Sequence, residues 1–230
     1  MHIVFLTWNV HKCKGADGRR DPGRILSVIA SHAPDVAVLQ EVDMKFGQRR
    51  GILDPDSIFG STGMTVHLPD TPSRGAVGWH GNALLMRTGI RCDSAKTIAL
   101  PSLEPRGAVL WSLESEGVQF EVVGMHLGLV GAWRKKQAAR IAAEIAARKP
   151  VPTIVAGDMN DWSPRSDMMK PLEYVLGTQG MRPRTFPARL PLLRLDRVLA
   201  GRGASVHKLV AASAAKASDH LPLVTEIGLS

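Results

Sequence analysis

A set of polar residues stands where apolar runs stop. Asn9 ends HIVFLTW, Glu41 follows VAVLQ, His126 follows VQFEVVGM, and Asp158 and Asn160 follow TIVAG. Asp196 opens DRVLA, and Asp219-His220 leads into LPLVTEI. Carboxylate oxygens together with an Asn carbonyl suit a hard cation such as Mg²⁺ or Mn²⁺. Histidines without thiolate neighbours suit acid–base work or phosphate contacts. Phosphoester cleavage needs a metal to neutralise the phosphate, donors for the non-bridging oxygens, a base for the water and support for the leaving oxygen. These residue types supply all of those roles. Singly, each has a plainer reading. Asn9 and the Asp-Asn pair fit turns, Glu41 a solvated strand end, His126 a satisfied core or surface histidine, Asp196 a surface charge. The Asp-His dipeptide at 219–220 is unremarkable alone. The weight lies in their order and shared context.

The elements that must position them are short. Residues 2–8 and 36–39 are β-branched, apolar and brief, as buried strands are. Asn82–Met86 reads as another strand. Ala108–Glu114 and Val118–Gly124 read as a hairpin turned by Ser115-Glu116-Gly117, and 153–156 as the strand that delivers Asp158. Pro22 fits the first turn of a helix containing Ile25, Val28 and Ile29. The Ala-rich run 132–148 is the clearest helix, with a shorter one over roughly 168–176. Residues 43–80 are rich in Gly, Pro and Asp and read as an extended rim of loops with room for short strands. In a sheet protein, strand ends of one orientation gather at one edge, so polar groups spread over the whole chain can converge.

Bulk properties narrow the class. The chain has 230 residues, 44% of them hydrophobic, enough for a sizeable core, and a single domain over 1–230 is expected. Lys and Arg number 29 against 21 Asp and Glu, for a net charge of +8. A basic surface attracts nucleic acid, anionic lipid or phosphorylated small molecules, though it also serves solubility alone. Arg19-Arg20, Arg49-Arg50 and the group Arg182, Arg184, Arg189, Arg194 and Arg197 can track a polyanion. The two cysteines, Cys13 and Cys92, lie in no metal-ligand pattern and are expected as free thiols. The N-terminus lacks a basic lead, no run reaches the ~18 apolar residues of a membrane-spanning helix, and a cytoplasmic monomer is the expectation.

Quoted in order, TWNVH, LQEVD, GMHLG, GDMN, LDRVL and SDHLPL resemble the motifs of the endonuclease/exonuclease/phosphatase superfamily, which includes deoxyribonuclease I, the abasic-site endonucleases, neutral sphingomyelinases and inositol polyphosphate 5-phosphatases. The resemblance runs from Thr7 to Leu223. It implies a four-layer α/β/β/α sandwich of two mainly antiparallel sheets packed face to face. It implies Asn9, Glu41 and Asp219 at a Mg²⁺ or Mn²⁺ ion, with Glu41 the principal ligand. His126 and Asn160 would contact the phosphate, Asp158 would act as base or orient the water, and Asp196 would orient the catalytic His220. HGNALL and EPRGAV resemble two further stretches, placing Asn82 and Arg106 near substrate. The activity implied is metal-dependent hydrolysis of a phosphoester by in-line attack of water, activated by Asp158 or by the His220–Asp196 pair, with one metal or two. Nucleic acid is the favoured substrate, with an anionic phospholipid or inositol phosphate as the alternative. A non-catalytic basic module that holds nucleic acid or lipid is the rival from another class.

Overall fold

The computed structural model describes residues 1–44, 51–67, 76–102, 104–163, 166–178, 180–214 and 216–230. In chain order the elements are β1 (His2–Asn9), α1 (Pro22–His32), β2 (Val36–Gln40), α2 (Pro55–Thr62), β3 (Met64–His67), β4 (Ala83–Arg87), β5 (Arg91–Ala99), β6 (Gly107–Ser115), β7 (Val118–His126), α3 (Gly131–Ala146), β8 (Thr153–Asp158), α4 (Lys170–Leu176), β9 (Asp196–Gly201), β10 (Ala204–Ala211) and β11 (Leu223–Leu229). Each boundary has a local cause. Asp21 caps α1 by accepting from the Arg24 N–H, with Pro22 at the first position. The β6–β7 hairpin turns through Glu116 and Gly117, both left-handed, as a two-residue hairpin loop requires.

Two sheets form, in the orders β10-β11-β1-β2-β4-β3 and β5-β6-β7-β8-β9. Pairing is antiparallel except for β1–β2 and β7–β8, which are parallel. Phe5, Val38, Trp111, Val122 and Ile154 fill the space between the sheets. Ile25 and Ile29 of α1 pack on Leu6, Trp8 and Leu39 at the outer face of the first sheet. Ile141, Ile145 and Leu172 of α3 and α4 pack on Val123, Val155 and Leu199 of the second. This is the expected four-layer α/β/β/α sandwich. Among the described residues, no helix is long and apolar enough to cross a membrane, and Cys13 and Cys92 form no disulfide.

Strand alternation carries the core rows straight into the polar tips. Side chains two apart share a face. Ile3 and Phe5 point between the sheets, so Asn9 does too. Val36 and Val38 lead to Gln40, Phe120 and Val122 to His126, and Ile154 and Ala156 to Asp158. On β9, which runs the other way, Val198 and Ala200 share their face with Asp196. In register, His126 lies beside Asp158 and Asp158 beside Asp196, a row across three adjacent strands.

Three expectations need correction. Part of the 43–80 stretch is helical: Asp54 caps α2, Pro55 begins it and Gly63 ends it left-handed, while β3 is a short strand of the kind expected there. Strands β5 and β10 were not expected; both lie at sheet edges and leave half their residues exposed, so no apolar run marks them. Arg197 is fully buried and donates to Asp161, so it cannot track a polyanion. Arg49-Arg50 lie outside the described residues.

Gly157 is the tightest point of this frame. Its φ is +138°, and a Cβ there would sit 2.0 Å from the Met125 carbonyl oxygen on β7. Backbone cannot move aside as a side chain can. Gly157→Ala is expected to lower stability by about 1–3 kcal/mol, read as a lower denaturant midpoint. An unchanged midpoint would mean that the β7–β8 ladder gives way freely.

Candidate active site

Asp158 is the centre of the polar tips. Its Oδ2 accepts from Asn9 Nδ2 across the inter-sheet gap at 2.9 Å, and its Oδ1 accepts from the Asn160 N–H at 2.9 Å. His126 Nε2 lies 3.4 Å and His220 Nε2 3.9 Å from the same Oδ2. Burial and the neighbouring Asp196 charge push the Asp158 carboxyl up to about 6, against the pull of His220, Asn9 and the Asn160 N–H. Asn160 adopts the left-handed conformation, φ 50°, and its Nδ2 donates to the Leu127 carbonyl at 2.9 Å. That bond ties the turn after β8 to the turn after β7.

His220 and Asp196 form a tight pair, with Nδ1 and Oδ2 2.8 Å apart. The same oxygen accepts from the Thr185 hydroxyl. Trp8 Nε1 donates to the His220 carbonyl at 2.9 Å, the His220 N–H bonds Ser218 Oγ at 3.2 Å, and Phe186 packs against the ring. Burial alone would lower the His220 pKa. The charges of Asp196, Asp158 and Asp219 and the Asp196 hydrogen bond outweigh it and raise the value to about 10. At neutral pH the imidazole is therefore a cation with Nε2–H turned towards Asp158.

Glu41 stands apart on the first sheet. It adopts φ 58° just past β2, backed by Gly81, where a Cβ would come 3.2 Å from the Glu41 nitrogen. A glutamate in this region is strained, and such strain gathers at functional sites. Its Oε1 is 4.0 Å from His126 Nε2, and Lys12 Nζ donates to its Oε2. Lys12 sits in a run of left-handed residues, His11, Lys12 and Cys13. His11 reaches Asp219, with Nδ1 and Oδ1 3.3 Å apart, and its N–H donates to Asn9 Oδ1 at 3.0 Å. Asp219 is 34% exposed, the most open of the acids here.

Arg106 comes to the edge by donating through Nη1 to His126 Nε2, while its Nη2 pairs with Glu104 Oε2 at 3.0 Å. A guanidinium only donates, so in this contact His126 Nε2 is the acceptor. Asn82 donates to the carbonyls of Trp79 and Gly107 at 3.2 and 3.1 Å. Gly107 is the register partner of His126. Thus Asn9, His126, Asp158, Asn160, Asp196 and His220 interlock, with Glu41 and Arg106 against His126, Asp219 at the open side and Asn82 one strand away. Asp158, Asp196 and His220 offer ligand atoms within 4.8 Å of one another, a group able to hold a metal ion. Lys12, His11, Thr185 and Glu104 were not expected. The VHK stretch directly after Asn9 was the one available signal; Thr185 and Glu104 lie in irregular segments that mark nothing.

Comparison with known proteins follows from this geometry. A family model described as Endonuclease/Exonuclease/phosphatase family matches residues 6–220. The uncharacterized protein YbhP of Escherichia coli (strain K12) is 35% identical over 173 residues, in a match covering 66% of this chain and 64% of YbhP; this chain therefore spans a little under two thirds of that relative. The human Nocturnin catalytic domain with bound sulfate superposes with a TM-score of 0.76 at 20% identity, covering 100% of this chain and 95% of that one. TDP2 of D. rerio, complexed with a single-strand DNA product, gives 0.70 at 15% identity, with 99% of each chain covered. At such identities the likeness to both structures is one of fold. The chain belongs to the endonuclease/exonuclease/phosphatase family, whose members are phosphoester hydrolases.

Proposed function

We propose that this protein is a divalent-metal-dependent phosphodiesterase of nuclease type, in which Asp158 activates the attacking water. The observation that carries the reading is a buried carboxylate with a raised pKa, set beside a histidine held as a cation. An aspartate near 6 is ionised at pH 7 yet basic enough to draw a proton from water. A protonated His220 cannot be that base. It is placed instead to give charge, and a proton, to an oxygen of the phosphate. Asp196 keeps it protonated and fixes the ring. Asn160 retains an amide N–H for a phosphate oxygen, and Arg106 brings a guanidinium to the same edge. Asn82 serves through Gly107, which fixes the strand beside His126.

Mg²⁺ or Mn²⁺ fits the donor chemistry. Glu41, Asn9 and Asp219 supply hard oxygens, and the Lys12 ammonium at Glu41 Oε2 marks a place where positive charge is already accommodated. The Asp158–Asp196–His220 group is a poorer cradle, because His220 Nδ1 is engaged by Asp196 and the ring is itself positive. When bound, the ion would withdraw charge from a non-bridging phosphate oxygen. Nucleic acid is the favoured substrate on the net charge of +8 and on the fold shared with a DNA-bound relative. A phospholipid is the second reading, favoured by Leu190 and Leu192, both exposed beside the exposed Arg189 and Arg194 on the segment that leads to Asp196. Co-sedimentation with anionic vesicles separates it from the first.

Release of p-nitrophenol from bis-p-nitrophenyl phosphate is expected with Mg²⁺ or Mn²⁺ and not with EDTA. Asp158→Asn and His220→Ala are each expected to lower turnover at least ~100-fold with an unchanged circular dichroism spectrum. A folded variant with near-normal turnover removes its residue from the mechanism, and nucleic-acid retention without any cleavage favours the binding module.

In metal-free protein, the His220 ring resonances are expected to hold their protonated shifts through pH 8. In Asp196→Asn, burial is no longer outweighed to the same degree, so the titration should move to lower pH. The raised pKa also makes a stability term that is fully present below about 6.5 and lost as pH climbs through about 10. A His220 that titrates near 6.5 in the wild type would sink the assignment of this ring as the cation.

A further inference from the structure

Trp8 and Trp111 are core residues, but Trp162 is 52% exposed. It stands two residues past Asn160, on a turn that cannot swing freely. Asn160 is bonded to Leu127, and the intervening Asp161 is buried and accepts from Arg197 Nη2. One side of the indole is backed by the buried Arg134, whose guanidinium carbon lies 5.7 Å from the ring centroid. Arg134 also donates to the carbonyls of Gly128 and Leu129, the turn directly after His126, and through Nε to Met168 Sδ at 3.1 Å. Arg134 therefore links the indole to the turn that leaves His126, while the chain of Trp162 itself leaves Asn160. Trp162 is thus four residues past Asp158 in the chain, with Arg134 behind it tied to the turn after His126.

We infer that Trp162 is a stacking platform for a nucleobase next to the scissile phosphate. This rests on the phosphodiesterase reading and adds a substrate subsite to it. A flat, rigid aromatic face with a cation behind it selects a planar ligand, and the basic chain selects one strung on phosphates. Stacking is tolerant of base identity, so the platform would favour nucleic acid over other diesters without favouring a sequence.

The test is binding in EDTA, where cleavage does not intervene. Fluorescence anisotropy compares an oligothymidylate of about eight residues, within the span of single-strand grooves, with an abasic oligomer of equal length. The wild type is expected to prefer the base-bearing strand about 5- to 100-fold. Trp162→Ala should abolish that preference while leaving affinity for the abasic strand intact, and Trp162→Phe should keep most of it. A wild type without preference overturns the platform. So does an alanine variant that weakens both strands alike, since the indole would then only shield Arg134. Hydrolysis of bis-p-nitrophenyl phosphate by the wild type tests the underlying reading separately. A live enzyme with no base preference loses the platform and keeps the activity. An inert protein with the preference loses the activity and keeps the platform.

Discussion

The two-residue period of a β-strand is the constraint on which this molecule depends. Rows of side chains that fill the space between the sheets continue, without change of face, into the polar groups at the sheet edge. Phe5 and Asn9 belong to one row, Val122 and His126 to another, Ile154 and Asp158 to a third. The apolar part of each row fixes the height and tilt of its polar end. A slip of one residue in β7 or β8 would expose the core and turn His126 or Asp158 towards the helices at the same time. Packing and placement of the polar tips are thus a single requirement.

What the rows bring together is electrostatically costly. Asp158 and Asp196 are both buried and adjacent in register, and two carboxylates in such a place cannot both ionise without a counter-charge. His220 supplies it from a different sheet, entering from the chain just before β11. Its backbone is held by Trp8 and Ser218, and its ring by Asp196. The sandwich is closed at its tip by this charge arrangement as much as by apolar packing further down. The hydrogen bond from Asn9 to Asp158 is a second stitch between the sheets at the same level.

How much of this was legible in the sequence depended on whether a residue's partner lay in the same element. Strands buried on both faces announce themselves as short apolar runs, so β1, β2, β7 and β8 and the polar residues at their ends could be read directly. Asp21-Pro22 and Glu116-Gly117 marked a helix start and a hairpin by local backbone chemistry. The edge strands β5 and β10 could not be read, because half of each faces water and its composition is that of a loop. Charge was the least informative property. Arg197 and Arg189 look alike in the chain, yet one is sealed against Asp161 and the other faces solvent. Lys12 and Thr185 acquire meaning only through Glu41 and Asp196, each met in space and not in sequence.

The pairing of Lys12 with Glu41 has a consequence for how the site is loaded. A carboxylate so enclosed, 13% exposed at its side chain, would be unstable as a bare anion, and the ammonium keeps it from ever being one. If Glu41 holds the metal, as proposed above, a divalent ion would take the place of the Lys12 charge and not add to it, a change of a single unit in the local charge. The displaced amine would stay tethered at the rim by the left-handed turn of residues 11–13. Vacating one carboxylate would thus furnish the doorway with a free positive charge.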